Sequence, residues 1–196
     1  MSTKATTRAP AQTPVEDFNR HAIEDGWAIL CDPVCRFSAP LLLDALELWR
    51  KTANGSIPYR RDMTARRLRP FIPVLSIYER VRHPGGGWRY RTRLMGTKLA
   101  FTTIEMSNRF VDEVIAEPYL TRWHALGKTA LAHEKPLRIV YSGVSVGKPF
   151  LVNEAMVAPL LTDDGRPDLI MSITSFDGID SWKVVEEQTH RQLGIG

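Results

Sequence analysis

The hydrophobic and polar positions along this 196-residue chain follow two different periods, and the changes between them mark its elements. On both sides of the turn sequence PGGG, apolar and polar residues alternate from Leu75 to Leu94, which predicts a β-hairpin. From Gly96 to Glu134 the spacing is helical, and its longest stretch is EPYLTRWHALGKTALAHE. After Pro136 the alternation returns in three further predicted strands, LRIVYSGVSV, FLVNEAMVAPLL and LIMSITSF.

Two helices are predicted ahead of the hairpin, the first within VEDFNRHAIEDGW. The second, within SAPLLLDALELWRKTANG, is the stronger prediction, because Ser38 can cap its start and Gly55 lies just past its end. Its apolar residues share one face, which must pack against another element. These residues are Leu41, Leu42, Ala45, Leu48 and Trp49.

Two registers compete for the hairpin. Pairing Ile77 with Leu94 and Val81 with Tyr90 sets apolar against apolar residues, whereas a slip of one residue mixes the faces. Burial of a large side chain contributes about 1.5–3 kcal/mol, which outweighs an exposed like-charge pair. The apolar register is therefore predicted, with an arginine stripe on the opposite face.

The order of elements, two strands, a helical insert, a long helix and three final strands, resembles that of a PAS domain. Several segments are also similar, in order and spacing, to a family of small bacterial stand-alone PAS-like proteins. The resemblance covers about residues 40–180 and implies an α+β fold, a five-stranded antiparallel sheet with helices on one face and extra N-terminal helices. The segments are IPYRRD, IPVLSIYE, YRTRLMGT, FVDEV and VAPLLTDDGRPDLIM.

The resemblance also divides the chain. A disordered N-terminal lead is expected for residues 1–14, which are rich in Thr, Ala and Pro. Residues 15–39 form a helical extension, residues 40–180 the PAS-like domain, and residues 181–196 a short C-terminal helix or tail. No output domain is expected to be attached.

A PAS fold implies a ligand-binding pocket between the hairpin, the long helix and the final strands. The hairpin would contribute Trp88, Tyr90 and Leu94. The long helix would contribute Trp123, His124 and Gly127. The last strands would contribute Met156, Met171 and Ile173.

Pockets of related PAS families hold haem, flavin or small metabolites, so the cofactor is left open. His124, on the long helix, stands where a haem-binding histidine is found in haem-containing PAS proteins. Cysteine-adduct flavin chemistry is not expected, because EMSNRFVDEV contains no cysteine. Cys31 and Cys35 are interpreted as reduced thiols, since structural zinc normally needs four nitrogen or sulfur ligands and no second pair stands nearby.

The charge composition, 26 Lys and Arg against 22 Asp and Glu, describes a mixed surface and argues against a nucleic-acid partner. The basic segment YRRDMTARRLR lacks the interleaved aromatic residues of a nucleic-acid-binding surface and is interpreted as a solvated connector. No apolar run approaches 18 residues, so no membrane span is predicted. A cytoplasmic location fits the two cysteines.

These observations favour a stand-alone PAS-type sensory module that binds a small ligand, a signalling partner protein, or both. A homodimer through the N-terminal helices is one expectation. A ligand-free interaction scaffold is the first alternative, since five Trp and seven Phe side chains would suffice to fill the pocket. The second alternative is a small α+β enzyme in which Glu154 would act together with His124, although no catalytic constellation is visible.

Overall fold

A computed structural model describes residues 13–143 and 148–176, together with Glu187, His190 and Arg191. The predicted lead falls outside the described residues up to position 12, and most of the predicted C-terminal helix or tail does so as well. Within the described part of the chain, no helix has the length and apolar character needed to cross a bilayer.

The described chain contains five α-helices and six β-strands, in the order that the alternation and helical spacing predict apart from one added strand. The helices are α1 (Pro14–Glu24), α2 (Pro40–Ala53), α3 (Ala65–Leu68), α4 (Thr97–Thr102) and α5 (Tyr119–His133). The strands are β1 (Ile29–Asp32), β2 (Leu75–Arg82), β3 (Trp88–Met95), β4 (Leu137–Gly143), β5 (Lys148–Leu160) and β6 (Leu169–Ser175).

All six strands form one antiparallel sheet in the order β1-β4-β5-β6-β2-β3. Strand β2 of the β2–β3 hairpin pairs with β6, the last strand of the β4–β5–β6 meander. The helical segment between β3 and β4 crosses one face of the sheet. This arrangement is a PAS-like α+β fold, as the sequence predicts.

The sheet has one strand more than the five predicted. β1 pairs with β4 at the sheet edge, with Leu30 opposite Val140, inside the N-terminal extension for which a helix but no strand was predicted. Its outer edge is protected by Asn19 of α1, whose amide donates to the Cys31 carbonyl and accepts from the Cys31 N–H, both at 2.8 Å. One side chain thus replaces a neighbouring strand at this position.

Helices cover both faces of the sheet: α4 and α5 lie on one face, as predicted, and α2, one of the N-terminal helices, lies on the other. α2 buries Leu42, Leu46 and Trp49 against one face, and α5 packs on the other with Ala130 and Leu131. α1 lies beside α5 and β1 and buries Val15 and Phe18 there. The predicted apolar faces of α1 and α2 are therefore used within the chain, so a dimer through these helices would need their other faces.

The hairpin uses both of the competing registers, because a bulge separates them. Ile77 lies opposite Leu94, as predicted, but after the bulge at Ile77/Tyr78 the partner of Tyr90 is Arg80 and not Val81. The shift also sets Glu79 opposite Arg91. The bulge therefore keeps an apolar pair at the base of the hairpin and removes the predicted like-charge pair above it.

Candidate ligand cavity

A cavity of about 200 Å³ lies between the sheet and α5. Alternate residues of β2, β4, β5 and β6 form its floor, while α4, α5 and the segment between them form its roof. The walls are mainly apolar and aromatic, which is typical of small-molecule sites. They include Tyr78, Trp123, Leu126, Ile139, Ala155, Val157 and Ile170.

The cavity floor also carries polar side chains from four strands: Ser76, Tyr141, Asn153, Ser172 and Thr174. Burial raises the pKa of Tyr78, against an opposing hydrogen bond to Ser76. Burial likewise raises the pKa of Tyr141 to about 12, against a hydrogen bond to Thr174. Both phenols are therefore neutral at physiological pH, and each is held by its hydroxyl partner.

Two polar atoms of the lining have no hydrogen-bond partner among the described residues: Asn153 Oδ1 and Arg122 Nε. Asn153 is only 3% exposed. It pairs with Tyr141 of β4, and both residues face the cavity. Buried polar groups in folded proteins are almost always hydrogen-bonded, so two unpartnered atoms at one cavity are unusual.

Arg122 is the one charged side chain among the described residues of the lining. Its guanidinium lies over the rings of Tyr119, at 5.0 Å, and Trp27, at 5.9 Å. Among the described residues, no carboxylate forms an ion pair with it. The lining therefore presents one cationic side chain beside aromatic rings, without a paired carboxylate in the part of the chain that the structure describes.

The structure places the predicted pocket residues of α5 close to the cavity. Trp123 and Gly127 line it. Tyr90 is buried behind them, with its ring centre 4.9 Å from that of Trp123. His124 lies beside the same tyrosine, with ring centres 5.4 Å apart, and does not line the cavity.

Four other predicted pocket residues lie on the wrong face of the sheet. Met156, Met171 and Ile173 are fully buried in the core beneath α2, and Leu94 packs against that core. Their neighbours Ala155, Val157, Ile170 and Thr174 face the cavity instead. The prediction failed by one residue because both faces are buried, so alternation separates two sets of residues without showing which set meets α5.

Trp88 also lies outside the cavity, at the end of the hairpin turn. It is 39% exposed, with the guanidinium groups of Arg80 and Arg82 stacked over its ring at 4.4 and 4.5 Å. Arg80 in turn pairs with the buried Asp168 at 2.7 Å. The indole therefore covers cationic side chains at the surface instead of lining a pocket.

The residues of the described lining do not fit haem ligation or cysteine-adduct flavin chemistry. The described lining contains neither histidine nor cysteine, so it offers no haem ligand at His124 and no thiol for a flavin adduct. Cys31 and Cys35 are free, buried thiols, and burial raises the pKa of each, that of Cys35 to about 11. Within the described ranges no cluster of three metal-ligating side chains occurs.

Glu154 has a structural role that the sequence did not reveal. Its carboxylate is fully buried and accepts from the backbone N–H groups of Ser38, at 3.1 Å, and Ala39, at 3.0 Å, and from the Ser38 hydroxyl at 2.9 Å. It also pairs with Arg138. Glu154 thus holds the start of α2, where Ser38 was predicted to be the cap, and it lies on the sheet face away from His124.

The comparisons with known proteins concern the fold alone. A scan against protein-family models finds no match, and a search of curated proteins finds none. The chain is similar to an RNA-binding light-oxygen-voltage receptor, at 14% identity and a TM-score of 0.40, over 85% of this chain and 42% of that one. It is also similar to the light state of the blue-light photoreceptor Aureochrome1 LOV, at 14% identity and 0.39, over 62% of this chain and 95% of that one.

Proposed function

We propose that this chain is a PAS-type sensory module that binds a small molecule in the cavity beneath α5. The observation that carries the proposal is a pair of polar atoms beside an apolar cavity, Asn153 Oδ1 and Arg122 Nε, that have no partner among the described residues. Leaving a buried polar group unsatisfied costs about 1–3 kcal/mol. A ligand that supplied the missing hydrogen bonds would offset that cost, so the arrangement favours an occupied cavity.

The packing around Arg122 offers a route from the cavity to the surface. Arg122 lies over Trp27, and the Trp27 ring meets Phe18 of α1 edge-on, with ring centres 6.0 Å apart. A ligand that engages Arg122 therefore acts on a side chain that also supports α1. In the proposed mechanism, ligand binding changes the position of α1 and with it the surface that a partner protein contacts.

The two alternatives receive less support. A scaffold whose pocket is filled by its own side chains would leave no cavity, whereas this fold retains about 200 Å³. The enzyme alternative required Glu154 to act with His124, but Glu154 is engaged with α2 and Arg138 on one face, and His124 is on α5 over the other.

The test is native against denaturing mass spectrometry of the freshly purified protein, with an absorbance scan of the same sample. A mass lost on denaturation would show and identify the ligand. The variant Ala155→Met, which extends a side chain into the cavity, should lose that mass. Met171→Leu, on the opposite face, should retain it. A bare-chain mass, together with no binding from a small-molecule library, would contradict the proposal.

A further inference from the structure

The chemical class of the ligand is limited first by charge. Arg122 is half-buried, its buried Nε has no partner among the described residues, and no described carboxylate pairs with it. A cation that is partly withdrawn from water is stabilised by an opposite charge with complementary hydrogen bonds. The guanidinium presents a planar fork that matches a carboxylate in two places. A carboxylate needs only this one cation, whereas a phosphate dianion would leave charge uncompensated in this lining.

The second limit comes from Asn153. Its unpartnered Oδ1 accepts hydrogen bonds and cannot donate one, so the ligand must also carry an N–H or O–H donor. A simple fatty acid satisfies Arg122 and leaves Asn153 unpaired.

The third limit is size. The cavity of about 200 Å³ is smaller than the roughly 300–1,000 Å³ of pockets that hold drug-sized ligands. Its walls include the edge-on pair of Tyr78 and Trp123, with ring centres 4.8 Å apart. This space suits a compact apolar body, such as a single aromatic ring.

We infer that the ligand is a compact carboxylic acid with an apolar or aromatic body and one hydrogen-bond donor, its carboxylate bound by Arg122 and its donor by Asn153. The inference rests on the proposed function, because it concerns the same cavity. It adds the ligand class and gives Arg122 the role of selecting for negative charge.

The test uses the full chain and two probes of nearly identical shape, 4-hydroxybenzoate and 4-hydroxybenzamide, with dissociation constants measured by titration calorimetry. The carboxylate should bind at least about tenfold more tightly than the amide, because a hydrogen bond to a charged group is worth about 1.5–3 kcal/mol. Arg122→Gln should weaken binding of the carboxylate by about 10- to 100-fold and binding of the amide by clearly less, because only the carboxylate loses a charge-assisted interaction. Arg66→Gln, at an exposed residue of α3, is the matched control and should change neither.

The outcomes separate this inference from the proposed function. Equal affinity for the two probes, or equal loss of both in Arg122→Gln, would overturn the carboxylate assignment while leaving the cavity a binding site. A neutral or cationic ligand identified by native mass spectrometry would do the same. Failure of both probes at millimolar concentration would also overturn it. A co-purified compact carboxylic acid that is lost in Arg122→Gln would support both conclusions.

Discussion

Gly127 lies where α5 passes the ring of Tyr90, and the space there is too small for a methyl group. A Cβ atom at this position would lie 2.9 Å from Tyr90 Cζ and 3.0 Å from the Tyr90 hydroxyl oxygen. Tyr90 is itself buried and held by Trp123 and His124, so it has little freedom to move. The glycine therefore sets how closely the helix approaches the hairpin.

Gly127→Ala is expected to destabilise the protein. In an unobstructed helix this substitution would stabilise by about 0.5–1 kcal/mol, whereas overpacking costs about 1–3 kcal/mol. The net loss should be up to about 2 kcal/mol in the free energy of unfolding, measured in urea. In a Tyr90→Leu background the same change should become neutral or stabilising. A stabilising effect of Gly127→Ala alone would show that the helix and ring have room to separate.

Single residues also show where prediction from sequence reached its limit at the candidate site. Trp123 and Gly127 were predicted to line a pocket because a helix of this position covers the sheet in a PAS fold, and both line the cavity. Arg122 and Asn153 were missed. An asparagine inside an otherwise apolar strand was the available signal, but its lack of a partner among the described residues follows only from three-dimensional packing.

At the scale of elements, the start of α2 depends on a distant strand. The helix begins at Pro40 without a side-chain cap from its own N-cap residue, Ala39. The carboxylate of Glu154, on β5, accepts from the two backbone N–H groups just ahead of the helix and pairs with Arg138 of β4, whose side chain is 13% exposed. A single carboxylate of the sheet, itself paired with a neighbouring strand, therefore holds the start of α2.

Glu154→Gln should destabilise the protein by about 3–5 kcal/mol, because removing one partner of a buried ion pair leaves the other charge uncompensated. The double variant Glu154→Gln/Arg138→Gln should recover part of this loss. Asp164→Asn, which removes an exposed ion pair to Arg166, is the control and should change stability by less than about 1 kcal/mol. Urea unfolding of the four proteins provides the comparison. An effect of Glu154→Gln no larger than that of the control would contradict the structural role of this pair.

The length of each element explains which elements could be predicted from the sequence. The hairpin, the long helix and the three-stranded meander carry clear periods over seven or more residues, and all were predicted. β1 has only four residues, too few to establish alternation, and it is a strand because β4 offers a free edge and Asn19 covers the other side. The bulge in the hairpin was not predicted either. The alternation offers the two registers as alternatives, whereas the folded hairpin uses one on each side of the bulge.

At the scale of the whole molecule, one sheet carries two cores of different character. The core beneath α2 includes Leu42, Met156 and Met171, all with no exposed surface. The core beneath α5 includes Ala155 and Val157 but also the cavity and its polar floor. Interiors are normally packed to the density of organic crystals, so a retained cavity on one face marks that face as the one with another use.

A matched pair of substitutions on β5 tests this difference between the faces. Ala155 is buried facing the cavity, and Ala158 is fully buried in the opposite core. Ala155→Met should stabilise the ligand-free protein by about 0.5–2 kcal/mol, because the longer side chain fills empty space with apolar groups. Ala158→Met should instead destabilise by about 1–3 kcal/mol, because the added atoms have no space to occupy.

For a chain of this length, 1 kcal/mol corresponds to a change of about 2–4 °C in the melting temperature, so the two variants should shift it in opposite directions. Calorimetric unfolding of both variants beside the parent protein, with urea unfolding as a second measurement, provides the test. Destabilisation by both substitutions to the same extent would mean that the α5 face is packed as tightly as the α2 face in solution. The cavity on which the ligand proposal rests would then be absent from the protein in solution. Opposite signs would show that the molecule keeps this space open at a cost in stability.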